Sequence, residues 1–400
     1  MKKKKYSTQT RLVHDATGHR QPGLGLGTVN PPIYRGSTLL YDDFSQIAEW
    51  NERRKRSGEV GYGIMGSDTT MALEEILAEL DGGSHAVATS SGLSAVSLAL
   101  TACLESGDHL LIADNVYGPA RLFADGFLKK YGVETTFFDP LDLGTTERMI
   151  QSNTKVIYFE TPGSLTFEMP DARGLYSLAR KHKIISIVDT TWPTSLYYPA
   201  VKEGADISLA AGTKYYAGHS DAFFGIVIGN EKVGPMLRHQ STLMGNHVGP
   251  DDVYLALRGL RTLKVRLDAI SKSAVKVAKY LEKHPKIMSV RHPALPKSPG
   301  HEHWKEQFTG STGLFGAFLS PKFTRAASER MVESLELFGI GYSWGGFESL
   351  AVLYDLPAYR SAPDWNKAFK DFGPLLRLQI GLEEPDELIS DLNKALEALS

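Results

Sequence analysis

One cysteine in 400 residues leaves the chain no internal disulfide to fold around, so burial has to supply its stability and a reducing compartment suits it. That cysteine, Cys103, lies in the apolar helical stretch LSAVSLALTACLESG, where a buried structural thiol is the expectation. An excess of one charge is missing too. Lys and Arg number 44 against 46 Asp and Glu, a formal net charge of -2, which withholds the basic surface that a nucleic-acid partner needs and points to a small ligand. No run approaches the roughly 18 uninterrupted apolar residues of a membrane span. The basic start MKKKK is followed by the polar YSTQTRLVHDATG rather than by the apolar core of a secretory signal, so it reads as a solvated arm and the protein as cytoplasmic. No internal repeat or low-complexity tract stands out.

What is present is ordinary for a globular protein: 42% hydrophobic and 22% charged residues, in a chain long enough for more than one core. Residues 1–60 contain the turn-rich GLGLGTVNPPIYRGST and the charged NERRKRSGE, an N-terminal arm that needs a surface to lie on. From about residue 80 short β-rich runs (HAVATSS, HLLIADNVY, VETTFFD, KVIYFETP, KIISIVDTTW, ADISLAAGT) alternate with helical stretches. That alternation predicts an α/β large domain, residues 61–255, built on a mostly parallel sheet. One long helix, DDVYLALRGLRTLKVRLDAISKSAVKVAKYLEKHP, opens a smaller α+β C-terminal domain, 256–400, whose last helix carries a core stripe of Leu388, Leu392, Leu396 and Leu399.

Unusual residues cluster at the predicted strand ends, where ligands collect in open parallel sheets. ATSSGLSAV runs from a strand through Ser90, Ser91, Gly92 and Leu93 into a helix, a start suited either to a serine cap or to a phosphate. IVDTTWP ends a buried strand on Asp189, and a buried carboxylate needs a partner, in the protein or in a ligand. GTKYYAGHSDAFFG holds Lys214 among glycines and aromatics, as a solvated loop lysine or as an amine kept reactive by partial desolvation. Tyr117, in DNVYGP, offers a ring at another strand end. A lysine for an aldehyde, a helix start for a phosphate and an acid for a pyridine nitrogen together match one cofactor, pyridoxal 5'-phosphate (PLP).

On TKYYAGHSD, LRGLRTL and LLRLQIGLE, the chain resembles the cystathionine-metabolising branch of the fold type I PLP enzymes, which have an aspartate-aminotransferase-like large domain. ETPGSLTFE and SWGGFESL look like the bacterial β-lyase versions within that branch. The resemblance implies that Lys214 forms the Schiff base and that Asp189 faces the pyridine nitrogen. It implies that Gly92, Leu93 and Thr213 hold the phosphate, that Thr191 lies near the ring, and that Ser164 approaches the cofactor's hydroxyl. Tyr117 would stack on the ring and act as a base once its phenol ionises well below the usual value of about 10. Ser343 and Arg377 would hold the substrate α-carboxylate, with Trp344 walling the pocket. The implied reaction is carbon–sulfur β-elimination on cystathionine in methionine biosynthesis. Cleavage of cysteine or an S-substituted cysteine, γ-elimination and racemisation stay open as relatives of the same chemistry. The family's assembly implies a homodimer, paired into a tetramer, in which Tyr62 reaches the neighbouring subunit's cofactor. YGIMGSDTT departs from the pattern: Ile64 and Met65 stand where arginines are common, so the distal end of a substrate is expected to meet an apolar surface. Arg35 stands in NPPIYRGST, a segment that also resembles the β-lyases, where it reads either as a substitute cation or as an arm residue pairing across an interface.

Overall fold

Strands β1 (His85–Thr89), β2 (His109–Ala113), β3 (Glu134–Phe138), β4 (Thr154–Glu160), β5 (Ile185–Asp189), β6 (Ile207–Ala210) and β7 (Gly225–Gly229) form a seven-stranded sheet in the order β1-β7-β6-β5-β4-β2-β3. The computed structural model describes residues 6–14, 28–57, 61–354, 356, 360 and 369–399. The basic start, residues 1–5, and the GLGLG run, residues 23–27, lie outside the described residues. The six β-rich runs of the sequence supply β1 to β6, and their helical connections make β2 to β6 parallel. β7 is the exception, because it follows β6 through the short Lys214 segment without a crossover helix and so runs antiparallel to both β6 and β1. β1 thereby points the same way as β6, and the carboxyl ends of β1, β2, β4, β5 and β6 share one edge.

Both faces of the sheet are covered, which is why its strands read as near-continuous apolar runs. Val87 and Val227 pack with Val96 and Leu100 of the helix Gly92–Cys103. On the opposite face Ala86, Ala88, Ile226 and Ile228 meet Leu73 and Leu77 of the helix Asp68–Asp81, together with Leu257 and Leu260. Cys103 is the structural thiol expected, its pKa pushed up to about 12 by burial. A second sheet, β8 (Ile287–Arg291), β9 (Leu314–Leu319), β10 (Gly339–Ile340), β11 (Leu350–Tyr354) and β12 (Leu375–Gln379), has the order β10-β11-β12-β9-β8. The helix Pro385–Ala398 lays Leu388, Leu392 and Leu396 into its core, and Leu399 follows just beyond the helix end.

The single long helix expected after Pro250 is two, Pro250–Arg261 and Leu263–Leu281, broken at Thr262. The break lets one buried guanidinium tie two segments of the chain together. Arg266 donates to Thr262 Oγ1 at 3.1 Å, to the Gly259 carbonyl at 2.8 Å and to the Tyr215 carbonyl at 2.9 Å, so the helix turn is fastened to the residue after Lys214. Burial pulls the Arg266 pKa down to about 10, and the carbonyl oxygens compensate for the lost water. Gly259 admits this approach: a Cβ there would lie 2.3 Å from the Tyr216 carbonyl oxygen and 2.4 Å from that of Ala217. Gly259→Ala should therefore destabilise the protein by about 1–3 kcal/mol, as overpacking does. Thermal unfolding checks this, and an unchanged melting temperature would show that the contact relaxes freely.

Candidate active site

At the shared carboxyl edge of the larger sheet opens a cavity of about 740 Å³, walled on one side by residues of β9, β11 and β12. Lys214, Asp189, Tyr117, Thr191, Thr213 and Ser164 line it, as do Gly92, Leu93, Ser343, Trp344 and Arg377. Of the other residues singled out from the sequence, Tyr62, Ile64, Met65, Arg35 and Ser90 do not.

Lys214 enters on the turn between β6 and β7, its backbone held by Lys214 N–H to Ala211 O at 3.1 Å and Gly218 N–H to Lys214 O at 2.8 Å. Its amine donates to Ser343 Oγ at 2.5 Å and lies 5.5 Å from the centre of the Trp344 ring. Desolvation first, then the nearby Arg377, bring its pKa down to about 8, against the opposing pull of Asp189. Trp344 is set in turn by an edge contact with the buried Tyr215, 5.4 Å between ring centres. Ser343 has φ +75°, a left-handed conformation that a non-glycine residue holds only under constraint. Two bonds supply the constraint: the one from Lys214, and one from Arg377 Nη2 to the Ser343 carbonyl at 3.0 Å. Arg377, 7% exposed in the middle of β12, also donates through Nη1 to the Tyr354 hydroxyl at 2.9 Å. Each terminal nitrogen has a second N–H, which leaves the fork able to take a carboxylate.

Asp189, the last residue of β5, is half-buried at the cavity, and desolvation raises its carboxyl; hydrogen bonds from Thr191 and the charge of Lys214 act the other way. Its Oδ1 accepts from the Thr191 amide at 2.8 Å and the Thr191 hydroxyl at 2.5 Å, while Thr191 Oγ1 accepts from the Ala211 amide at 2.9 Å. Thr191 therefore orients the acid and ties it to the lysine turn. Tyr117 follows β2 and presents a ring 46% exposed to the cavity. The expected low phenol pKa is not found. Burial raises it, and the charges of Glu160 and Asp189 raise it further. The described groups that act on this phenol are carboxylates, where the expectation required cations.

The helix Gly92–Cys103 starts at the cavity, with Ser91 Oγ accepting from the Ser94 amide at 3.1 Å. The cap leaves Gly92 and Leu93, the first two helical residues, without an intrahelical acceptor for their amides. A Cβ on Gly92 would lie 2.5 Å from the Ala211 Cβ, so the helix start and the lysine turn meet too closely for any larger residue. A desolvated amine, a half-buried acid and a helix N-terminus on one cavity of this size fit PLP. Thr213 lines the same wall, but its hydroxyl is engaged with the backbone of Phe224, donating to its carbonyl at 3.1 Å and accepting from its amide at 3.2 Å.

Sequence reasoning missed Glu160, Tyr342, Glu348 and Tyr354, all of which line the cavity. Glu160 carried a legible signal, since KVIYFETP ends on an acid just as KIISIVDTTW does. The other three lie in or near the small-domain sheet, where nothing local marks an inward-facing side chain. Tyr62 is 50% exposed and caps the short turn Gly63–Met65. Ile64 and Met65 border a separate small hollow with Glu74, Arg238 and His247. Arg35 pairs within the chain, donating through Nε to Asp251 at 3.0 Å.

A profile of the Cys/Met metabolism PLP-dependent enzymes matches residues 9–397. The cystathionine beta-lyase of Haemophilus influenzae is 37% identical over 398 residues, 99% of each chain. That of Escherichia coli is 39% identical over 370 residues, 92% of this chain and 93% of its own. An L-alanine/L-glutamate racemase of Wolbachia pipientis is 39% identical over 384 residues, 93% of each.

The lowered Lys214 pKa gives a measurement. Reductive trapping of a small aldehyde on Lys214 should rise with pH to a midpoint near 8, well below an unperturbed lysine. Because Arg377 lowers that pKa, Arg377→Ala should move the midpoint upward. Mass-spectrometric quantitation of the adduct checks both, and a midpoint at the ordinary lysine value would refute the desolvation argument.

Proposed function

Since this chain belongs to the Cys/Met metabolism PLP-dependent enzyme family, we propose that it is a carbon–sulfur β-lyase that cleaves L-cystathionine to L-homocysteine, pyruvate and ammonia. The observation carrying this reading is the meeting of Lys214, Asp189 and Arg377 on one cavity, supported by the full-length likeness to lyases of that name. PLP is the cofactor, and it supplies an aldehyde carbon for amines and a ring into which the electrons left at Cα can spread.

The chain's residues do the rest. The amides of Gly92 and Leu93 hold the phosphate, and Asp189, oriented by Thr191, holds a proton on the ring nitrogen. Tyr117 is a platform for the ring; with burial foremost in holding its phenol above the ordinary value, the proton transfers fall to Lys214. Arg377 grips the α-carboxylate beside Ser343, and Trp344 closes the pocket. Lys214 Nζ takes the Cα proton and returns it to the departing sulfur as the Cβ–S bond breaks, and the released enamine adds water to give pyruvate and ammonia. A proton taken from Cα and returned to Cα would instead racemise an amino acid, and the Wolbachia racemase makes that the second reading. We place the enzyme in the cytoplasm as a homodimer paired into a tetramer, with Tyr62 reaching the neighbouring subunit's cavity. Among the described residues no helix is long and apolar enough to cross a membrane.

Lys214→Ala should leave a folded protein whose pyruvate release falls on the order of 10²–10⁴-fold, the contribution of a positioned acid–base group. Pyruvate formed at the wild-type rate would remove Lys214 from the mechanism. A wild type that interconverts alanine enantiomers but releases no pyruvate from cystathionine would favour the racemase.

Ile64 and Met65 give a second test. A distal carboxylate without a cation binds weakly in a partly desolvated site, so wild type should discriminate little between L-cystathionine and S-methyl-L-cysteine. Met65→Arg should shift the kcat/KM ratio roughly tenfold toward cystathionine. A wild type that already prefers cystathionine by several orders of magnitude would overturn the expectation.

A further inference from the structure

β4 and β5 end in a pair of carboxylates, because Glu160 lies in register with Asp189. The proposed mechanism employs Asp189 and leaves Glu160, 6% exposed, without a task. Both of its oxygens are occupied. Oε1 accepts from the Tyr117 amide at 2.5 Å, and Oε2 is 2.5 Å from Ser164 Oγ. Tyr117 lies on the connection after β2 and Ser164 on the one after β4, and both face the cavity. We propose that Glu160 is a positioning residue for the cofactor, a single carboxyl that anchors the backbone carrying Tyr117 on one side and aims the Ser164 hydroxyl on the other. The inference rests on the reading that PLP occupies this cavity.

The hydrogen-bond inventory decides the details. An amide only donates, which commits Oε1 as an acceptor. A hydroxyl does either, so the state of Oε2 sets the direction of Ser164. An ionised Glu160 takes the Ser164 hydrogen and turns only lone pairs toward the cavity. A protonated Oε2 donates to Ser164 Oγ and releases the serine hydrogen for the cofactor's ring oxygen. Asp189 is required as an anion against the ring nitrogen, and two neighbouring desolvated anions repel. Burial and Asp189 both favour the proton on Glu160, against Ser164, the Tyr117 amide and the more distant charge of Arg360. Arg360 itself donates to the Ser164 carbonyl at 2.7 Å and to Thr166 Oγ1 at 3.0 Å. The Tyr117 and Tyr158 phenols, whose pKa values are raised, add no charge near neutral pH, and Lys214 acts on the Asp189 side.

Glutamine reproduces the protonated acid, with Oε1 accepting and Nε2 donating. Apoprotein titrated with PLP, followed by tryptophan fluorescence and by the visible circular dichroism of the bound cofactor, provides the test. Glu160→Gln should bind within about threefold of wild type with the same dichroic band, whereas Glu160→Ala should bind roughly tenfold or more weakly with an altered band. Raising the pH should weaken PLP binding to wild type more than to Glu160→Gln, because only the acid loses its proton. Glu160→Ala binding like wild type, or Glu160→Gln binding as poorly as Glu160→Ala, would overturn the proposal. If the alanine variant does not fold, Ser164→Ala decides: weaker binding supports the relay and unchanged binding refutes it. These measurements use no amino-acid substrate, so they stand whether or not cystathionine is cleaved. A wild type that binds no PLP would overturn the site reading itself.

Discussion

Lys214 must be dry enough to react and open enough to be reached, and much of the structure follows from that pair of demands. A lysine deep in a core would be inaccessible, and one on the surface would stay protonated and inert near neutral pH. The turn between β6 and β7 satisfies both by placing the amine at the sheet edge, partly covered by Ser343 and Trp344 from the smaller sheet's side. Arg377 and Asp189 then act on it with opposite sign, the first lowering and the second raising its pKa. In the proposed reading, the charges that would meet a substrate carboxylate and a pyridine nitrogen are the same two that tune the lysine.

The α/β alternation was legible because β1, β2, β4, β5 and β6 are mostly buried apolar runs, and these and the edge strand β3 are separated by turn formers. β7 was not, since its five residues GIVIG follow the lysine segment without the helix that would have marked it off. The break at Thr262 also escaped, because the bond it accommodates, from Arg266 to the Tyr215 carbonyl, joins residues 51 positions apart and no helical periodicity encodes it. Among site residues near strand ends, Gly92, Asp189 and Lys214 were found because a glycine, an acid or a lysine beside an apolar run is locally odd, and Glu160 carried the same signal at the end of β4 without being singled out. Tyr354 was missed because a tyrosine ending a strand is locally ordinary, and only its bond to Arg377 gives it a place in the site.

The likeness to lyases and to a racemase at nearly equal identity has a physical basis in the site. Taking a proton from Cα, holding the carboxylate and spreading the charge into the ring are common to both outcomes. What separates them is the far end of the substrate, whether it carries a leaving sulfur and what it touches. Tyr62 to Met65, which the proposed reading sends toward that end in a neighbouring subunit, do not line the cavity of their own chain.

The placement of β7 also governs when the site can exist. His85 of β1 finds its partner only at Gly229 of β7, and this one pairing brings the helix start at Gly92 against Ala211 and Gly225 against the Ser91 carbonyl. The contact spans a long stretch of chain, so its loop must close late. During synthesis β2 to β6 can begin to associate while β1 waits without a partner. The lysine turn and the helix start at Gly92 are therefore joined through one strand contact, so both ends of this cavity wall depend on the β1–β7 pairing.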